Sequence, residues 1–237
     1  MTWLWRTCFS LLWVTAAFCA TVIGQVELID SRDPGVRKHK DYSGVAVWLE
    51  PLDPEAPSLP PKTVRMVQKG KRFIPHVLAV PVGATVELPN FDPIFHNAFS
   101  NFSGQRFDTG LYPPGGSEKV VFRREGIVRV FCNIHPSMSA VIVVMNTPYI
   151  TVTTRVGVFQ FDGLPNGRYK MKVWHERATA ESLRRLERTI SLEEEKVKLP
   201  VIRVSESGYL EVPHKNKYGQ EYPPEPPDTQ VYPGVRR

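Results

Sequence analysis

The stretch Phe131-Cys132-Asn133-Ile134-His135-Pro136-Ser137-Met138 places a thiol, an imidazole and a thioether on one short loop, with the spacing Cys-x-x-His-x-x-Met. A second imidazole, His96, lies 36 positions earlier than Cys132 (132 − 96 = 36), in Asn90-Phe91-Asp92-Pro93-Ile94-Phe95-His96-Asn97. Two imidazoles, one thiolate and a weak axial thioether form the ligand set of a mononuclear blue-copper electron-transfer site. The candidate metal ligands are therefore His96, Cys132, His135 and Met138.

Three neighbouring residues are predicted to support these ligands from outside the coordination sphere. Asn97 follows His96 directly and is a candidate for the hydrogen bond that ties the two ligand loops together. Pro136 is expected to stiffen the cysteine loop, and Phe131 to exclude water around the sulfur. Such outer contacts orient the ligands and tune the metal.

The N-terminus has the layout of a secretory signal: one arginine, an apolar stretch and then small residues. We expect a signal peptide over residues 1–24, cleaved after Gly24, with cleavage at Ala20 as the alternative. The other interpretation is an uncleaved anchor, although residues 7–24 are barely long enough to span a bilayer. The expected location is the periplasm or another exported compartment, and no membrane span is expected once the signal is removed.

Removal of this signal would leave Cys132 as the only thiol, because Cys8 and Cys19 lie in the segment that is lost. A single cysteine cannot form an internal disulfide, and a free thiol in an oxidising compartment is vulnerable to oxidation unless something occupies it. The neighbouring His135 and Met138 favour a metal as that occupant. The alternative is that Cys132 and Met138 are buried core residues, which free cysteine and methionine often are.

The chain is mildly basic, with 30 lysines and arginines against 24 acidic residues and a formal net charge of +6. The positive charges are spread along the chain without a dense cluster. A mildly basic surface can steer an acidic redox partner towards the protein. We do not expect a nucleic-acid partner.

Short apolar runs separated by Pro, Gly, Asn and Asp predict an all-β protein with sandwich or barrel architecture. One predicted strand, Gly126–Cys132, departs from strict alternation because Ile127, Arg129 and Phe131 share a face, which indicates an irregular or edge strand. The charged stretch Glu181–Arg188 could form one or two helical turns. The other predicted strands are Gln25–Asp30, Val45–Leu49, Val64–Gln68, His76–Val80, Ala84–Leu88, Lys119–Phe122, Ser139–Met145, Tyr149–Thr153, Val156–Phe161, Tyr169–Trp174 and segments of Thr189–Val204.

We predict three parts after the signal peptide. Residues 25–146 form the copper domain, including an N-terminal extension with a proline-rich loop. Residues 147–204 form a second, smaller β-sandwich. Residues 205–237 are rich in Pro and Tyr and poor in branched aliphatic residues, which predicts a disordered or loosely docked tail.

The segments Val86–Asn90, Phe95-His96-Asn97 and Gly126–Cys132, followed by the Cys-x-x-His-x-x-Met loop, resemble the cupredoxins. Within that group the chain looks most like amicyanin, which has this loop spacing, and like the plastocyanins, which share the His-Asn pair. The resemblance covers roughly Arg72–Met145 and implies a Greek-key β-sandwich that binds one type 1 copper through His96, Cys132, His135 and Met138. More broadly, the chain is similar to exported proteins of the methylamine-utilisation or plastocyanin-like type.

The stretch Gly157–Tyr169 resembles the carboxypeptidase regulatory-like, or transthyretin-like, sandwich. In it, an apolar strand, a Leu-Pro-Asn-Gly turn and a Tyr-led strand follow one another. Pro165 presets a turn, and Gly167 supplies a backbone conformation that other residues resist. The resemblance implies an immunoglobulin-like or transthyretin-like module over about Tyr149–Val204 that acts as a non-catalytic scaffold.

We therefore expect an exported blue copper protein, not an enzyme, that transfers single electrons between redox partners such as a cytochrome or a dehydrogenase or oxidase complex. The alternative function is a periplasmic copper carrier without electron relay. A cysteine hydrolase is disfavoured because Cys132 and His135 are too close in sequence for a nucleophile and base on separate elements. Multicopper and binuclear centres would need further histidines or a second cysteine, and methionine is a poor ligand for structural zinc.

The remaining histidines are predicted to have structural or solvent-exposed positions. A lone histidine is weak support for a metal ligand. His76 is expected at the surface or a strand edge, and His175 is expected to have a plain structural role at a strand end. His39 and His214 lie among charged residues and are expected in solvent.

Overall fold

The regular secondary structure of the described residues consists almost entirely of short β-strands, which confirms the predicted all-β class. The computed structural model describes residues 19–53, 60, 62–101, 104–208 and 214–223. Its first nine strands are β1 (Cys19–Ile29), β2 (Ala46–Pro51), β3 (Thr63–Arg65), β4 (Val67–Gln68), β5 (Phe73–Ile74), β6 (Val77–Pro81), β7 (Thr85–Pro89), β8 (Phe99–Ser100) and β9 (Phe107–Asp108). The next nine are β10 (Ser117–Val121), β11 (Gly126–Phe131), β12 (Ser139–Met145), β13 (Ile150–Val152), β14 (Val158–Pro165), β15 (Gly167–Trp174), β16 (Arg188–Leu192), β17 (Lys196–Lys198) and β18 (Ile202–Ser205).

Two helices of six residues each interrupt the strands, α1 (Pro34–His39) and α2 (Ala180–Arg185). The predicted helical turns near Glu181 correspond to α2. Helix α1 was not predicted. Asp33 caps it by accepting hydrogen bonds from the amides of Gly35 (2.6 Å) and Val36 (3.3 Å). A proline after an N-capping aspartate is a helix-start signal that could have identified it.

Strands β3 to β12 form what we call the central module, residues 62–145. Its two larger sheets have the orders β10-β7-β3 and β6-β12-β11-β8-β9, and β4 and β5 form a separate two-stranded pair. Alternate residues of both sheets contribute to one buried cluster, including Val86 and Leu88 from β7, Val128 and Val130 from β11, and Ile142 from β12. Cys132 and Met138 lie in the same cluster, so the predicted metal loop is anchored in this core.

The remaining strands form what we call the flanking module, residues 19–51 and 149–208. Its sheets have the orders β14-β1-β17, with β18 also beside β1, and β13-β2-β15-β16. One buried cluster joins the two sheets, for example through Val26 of β1, Val47 of β2 and Phe159 of β14. The structure thus divides the chain differently from the predicted boundaries: the N-terminal extension of the predicted 25–146 domain pairs with strands of the predicted 147–204 domain. The physical reason is that β1 and β2 complete the two sheets of the flanking module.

The two modules are joined by a third apolar cluster. Ala46 and Trp48 project from β2 on the side opposite to Val47, and they meet Val77 of β6 and Val141 and Val143 of β12. Strand β12 is therefore buried on both faces, with Ile142 in the central core and its neighbours in the interface. The sequence of a strand that is buried on both faces is typically a continuous apolar run, as in Ala140–Met145.

Strand β1 overlaps the predicted end of the export signal. Cys19–Gly24 form the first part of this strand and pair with β14 and β17, and Ala20 and Val22 are fully buried. Cleavage after Gly24 would remove these pairs, whereas cleavage at Ala20 would keep Thr21–Ile29. Residues 1–18 of the predicted signal lie outside the described residues. In the part of the chain that is described, neither helix has the length and apolar character needed to cross a membrane.

We expect a chain that begins at Gln25 to be less stable than one that begins at Thr21 by about 2 kcal/mol, because burial of one valine side chain contributes roughly 1.5–3 kcal/mol. Urea denaturation of the two truncated proteins measures this difference. Equal unfolding midpoints and slopes would show that Val22 and its strand pairing are dispensable.

A hydrogen-bonded histidine also links the modules. His76 Nδ1 lies 3.1 Å from the Ser139 carbonyl oxygen at the start of β12, and His76 Nε2 lies 3.0 Å from the Glu176 carboxylate of the flanking module. The bond with Glu176 raises the pKa of His76 above its ordinary value despite the opposing effect of burial. His76 was expected at a surface or edge, and its side chain is indeed about half exposed (47 %), but it bridges two modules.

We predict that the stability contributed by His76 decreases as the pH rises. Because the pKa of His76 is higher in the folded state than its unfolded value of about 6.5, the contribution is complete below about pH 6.5 and is lost as the pH rises through the folded pKa. The partly exposed pair should contribute at most about 1 kcal/mol. Urea denaturation of His76→Gln against the parent protein should show a larger difference at about pH 6 than at about pH 9. His39→Gln is the control, and a difference that is independent of pH would contradict the prediction.

Candidate metal centre

The structure brings His96, Cys132 and His135 together. Cys132 Sγ lies 3.8 Å from His96 Nδ1 and 3.7 Å from His135 Nδ1, and the donor atoms of all three residues lie within 4.8 Å of one another. Cys132 and His96 are fully buried, and His135 is 4 % exposed. Residues 36 positions apart in sequence thus present two nitrogen atoms and one sulfur atom to a common point.

The spacing of these donors fits a bound metal ion. Bonds of about 2.3 Å to sulfur and 2.0 Å to nitrogen, as in protein zinc sites, place the two donors roughly 3.7 Å apart when the angle between them is about 120°. The sulfur–nitrogen separations of 3.7 and 3.8 Å match this value. A His2Cys trigonal set is the arrangement found in blue-copper sites.

A tight loop positions His96. The side chain of Asn90 accepts a hydrogen bond from the Asp92 amide (3.0 Å) and donates one to the Ile94 carbonyl oxygen (2.8 Å), which fixes the turn before the histidine. The backbone of His96 then pairs with Tyr112 in an isolated bridge, and the Tyr112 hydroxyl donates to the Leu88 carbonyl oxygen at 2.9 Å. The histidine is therefore held from both sides before any ion binds.

Asp92 determines which nitrogen of His96 faces the other donors. One carboxylate oxygen of Asp92 lies 2.8 Å from His96 Nε2 and also accepts a hydrogen bond from the Lys71 amide (2.9 Å), while the other accepts one from the Gly70 amide (2.5 Å). Burial tends to raise the pKa of Asp92, but these hydrogen bonds outweigh it and the pKa is lowered. Burial lowers the pKa of His96 although Asp92 opposes it. A neutral imidazole beside an acceptor-only carboxylate carries its proton on Nε2, so Nδ1 presents a lone pair to the site.

The cysteine loop connects β11 to β12. The Cys132 amide donates to the Met138 carbonyl oxygen at 3.2 Å, and the Met138 amide donates to the His135 carbonyl oxygen at 3.0 Å. These bonds close the loop so that Met138, which is fully buried, lies in the same cluster as Cys132. Its role as the weak axial ligand stays a prediction.

Among the predicted supporting residues, Asn97 makes the expected connection between the two loops. Its side-chain oxygen accepts a hydrogen bond from the Asn133 amide at 2.6 Å, one residue after each of His96 and Cys132. Phe131 is 6 % exposed and packs against Phe99, with ring centroids 6.0 Å apart. Pro136 lies in the loop at the half-buried position after His135.

Two features of the site were missed by the sequence analysis. Asp92 was given no role, although a carboxylate four residues before a candidate histidine ligand is a signal for an orienting partner. His214 was predicted to be in solvent, and this prediction was wrong: its ring stacks on Phe131 with centroids 4.0 Å apart. The predicted tail at 205–237 therefore includes a segment, residues 214–223, that lies against the metal loop, whereas residues 209–213 and 224–237 lie outside the described residues.

Other histidines do not join the cluster. His175 is buried, with Nε2 3.6 Å from the Glu206 carboxylate, as its predicted structural role requires. Burial lowers the pKa of His175 to about 4, so its ring is neutral. Within the described ranges, His96, Cys132 and His135 are the one group of three or more His, Cys, Asp or Glu side chains with metal-binding spacing.

Comparisons with known proteins give partial structural similarities. No family model matches the chain, and no curated protein sequence matches it. A purple cupredoxin from Nitrosopumilus maritimus is 25% identical over 35% of this chain and 98% of its own, with a TM-score of 0.32. The Cu(I) form of a mutant of amicyanin is 19% identical over 41% of this chain and 97% of its own, with a TM-score of 0.34. A Cu-containing nitrite reductase from Thermus scotoductus SA-01 is 27% identical over 50% of this chain but only 28% of its own, with a TM-score of 0.34.

Asp92→Asn should weaken copper binding by about 10- to 100-fold, the usual effect of losing an outer partner of a ligand. The amide keeps the size of the side chain but can donate towards His96 Nε2, which favours the tautomer with the proton on Nδ1. Copper affinity by competition with a chelator, and the imidazole 15N shifts of His96 in the metal-free protein, measure the two effects. Asp53→Asn, at an exposed ion pair with Arg168, is the matched control. An unchanged tautomer together with unchanged affinity would refute the role of Asp92.

Proposed function

We propose that this protein binds one type 1 copper ion through His96, Cys132, His135 and Met138 and transfers single electrons between redox partner proteins. The observation that carries the proposal is the convergence of two imidazole nitrogens and one thiol in a buried site, with sulfur–nitrogen separations of 3.7 and 3.8 Å. Copper, when bound, supplies a one-electron redox couple whose two states are both served by nitrogen and soft sulfur donors.

The chain's own contribution is to hold these donors still. His96 is fixed through Asp92 and Tyr112, and Cys132 through the closed loop that ends at Met138. Because the donors are already in place, a change of metal charge requires little rearrangement of the protein. A site of this kind suits a carrier that is repeatedly oxidised and reduced.

The surface beside the site supports contact with another protein. Phe91 and Leu111 are each 61 % exposed, and each is next to a residue that shapes the site: Phe91 precedes Asp92, and Leu111 precedes Tyr112. The backbone of Tyr112 pairs with that of His96, so Leu111 adjoins the segment that carries this ligand. We propose that a redox protein, such as a cytochrome or a dehydrogenase or oxidase complex, docks on this side.

The alternative function is copper carriage without electron relay. A carrier has to release its ion to a recipient, which is easier when at least one donor is accessible. His96 and Cys132 are fully buried and His135 nearly so, and this burial favours retention of the ion. We further propose that the protein is not an enzyme, and that it acts in the periplasm or another exported compartment.

The test of the copper site is visible absorption of the purified protein after addition of copper. We expect an intense thiolate-to-copper band in the parent protein and its complete loss in Cys132→Ser, because the thiolate is the electron donor in that transition. In the uncleaved chain, which keeps residues 1–24, Cys19→Ser is the matched control, since Cys19 is exposed on β1 and its replacement should leave the band unchanged. Absence of the band in the parent protein would overturn the proposal.

A second measurement separates the two functions. A reversible one-electron wave in voltammetry, combined with slow loss of copper to a chelator, is expected for an electron carrier. Rapid loss of copper to the chelator without a reversible wave would instead favour the copper carrier.

A further inference from the structure

Residues 214–223, which we call the C-terminal clamp, lie against the turn that carries Cys132. The Tyr222 hydroxyl donates a hydrogen bond to the Cys132 carbonyl oxygen at 2.9 Å. The Lys217 amide donates to the side-chain oxygen of Asn133 at 3.0 Å. The clamp therefore contacts the peptide of the cysteine itself and the side chain of the next residue.

The clamp also covers Phe131, the residue before the cysteine. The His214 ring stacks on the Phe131 ring with an interplanar angle of 23°, and Tyr222 meets the edge of His214 with centroids 5.2 Å apart. Burial lowers the pKa of His214, so the stacked ring is neutral at pH 7. This cover leaves Phe131 only 6 % exposed although it is on the outward face of β11.

A third set of contacts ties the clamp to the other ligand loop. Lys217 Nζ forms an ion pair with Asp108 at 2.7 Å, and the other oxygen of Asp108 accepts a hydrogen bond from Asn97 at 3.3 Å. The Asn101 side chain donates to the Lys217 carbonyl oxygen at 3.1 Å. Since Asn97 is also bonded to Asn133, Lys217 is connected to both asparagines that join the ligand loops.

We propose that the C-terminal clamp is a built part of the metal centre: it closes the Phe131 side of the site, and Tyr222 acts through the Cys132 carbonyl as a positioning residue for the thiolate. Nothing in the pattern of the tail predicts this role, because the clamp is polar and rich in charge. Its contacts, however, are distributed over three consecutive residues, Phe131, Cys132 and Asn133. Closure by a segment of the same chain also means that a redox partner has to approach from a side other than that of Phe131.

The cover is tested in the metal-free protein, so this result does not depend on copper. The measurement is the rate at which a thiol reagent modifies Cys132 in the uncleaved chain, followed by mass spectrometry of the peptide that contains it, with exposed Cys19 as the internal reference. A chain that ends at Pro213 should be modified at Cys132 at least about tenfold faster than the full chain, and Tyr222→Phe several-fold faster, because one hydrogen bond of this kind corresponds to about a fivefold change in the open population. Tyr218→Phe, at a side chain in the same segment that is 70 % exposed, should leave the rate unchanged. If Cys132 is labelled at the same rate in the shortened chain and in the full chain, the proposal that the clamp covers Cys132 is refuted.

The positioning role rests on the proposed function and needs the copper-loaded protein. A hydrogen bond to the Cys132 carbonyl withdraws electron density from the thiolate, so Tyr222→Phe should lower the reduction potential while leaving the fold intact, and Tyr218→Phe should not change the potential. An unchanged potential in Tyr222→Phe would refute the positioning role. If the parent protein forms no thiolate-to-copper band, the proposed function fails, whereas the labelling rates of the metal-free protein still decide whether the clamp covers Cys132.

Discussion

The candidate metal centre depends on one hydrogen bond, from the Asn133 amide to the side chain of Asn97. Asn97 follows His96 and Asn133 follows Cys132, so this bond fixes the distance between two loops that are far apart in sequence. Asn97 is fully buried, which shields the bond from competition with water. A typical hydrogen bond contributes only about 1 kcal/mol to stability, but here it determines whether donors from separate loops share one point in space. The Asp108–Lys217 pair extends the same network to the C-terminal clamp.

The features that could be predicted from the sequence are those whose partners are close in the chain. Three of the four predicted ligands lie on one loop, and strand β12 has the same bounds, Ser139–Met145, as its prediction. The role of Asn97 could be predicted because this residue adjoins His96, and its hydrogen bond to the cysteine loop follows from that position. Alternation of apolar and polar residues identifies strands such as β7 and β15 for the same reason, since it reports which face is buried.

The features that could not be predicted are pairings between distant segments. Alternation identified the second half of β1 as a strand, but it does not say that its partners are β14, β17 and β18 near the other end of the chain. The predicted domain boundary near residue 146 therefore separated strands that share one sheet. The position of His214 depends on the same kind of contact. Its charged neighbours predicted solvent exposure, whereas the ring of Phe131, 83 positions earlier (214 − 131 = 83), provides its surface.

In strand β11, the sequence pattern depends on contacts with distant segments of the chain. Ile127, Arg129 and Phe131 share a face, which suggested an irregular or edge strand. In the described residues, β11 pairs with β12 along its whole length but with β8 only at Phe131. Its outward face is apolar at both ends since each end is covered by a different part of the chain. Ile127 packs against the interface with the flanking module, and Phe131 lies under His214 of the C-terminal clamp. Only Arg129, between them, is exposed. The strand that leads into Cys132 is thus contacted from outside by the interface with the flanking module and by the C-terminal clamp, as well as by the central core. An apolar residue on the face of a strand opposite to the core can therefore indicate that a distant segment of the chain packs over it. At this position, the cover restricts the movement of the residues that carry the thiolate.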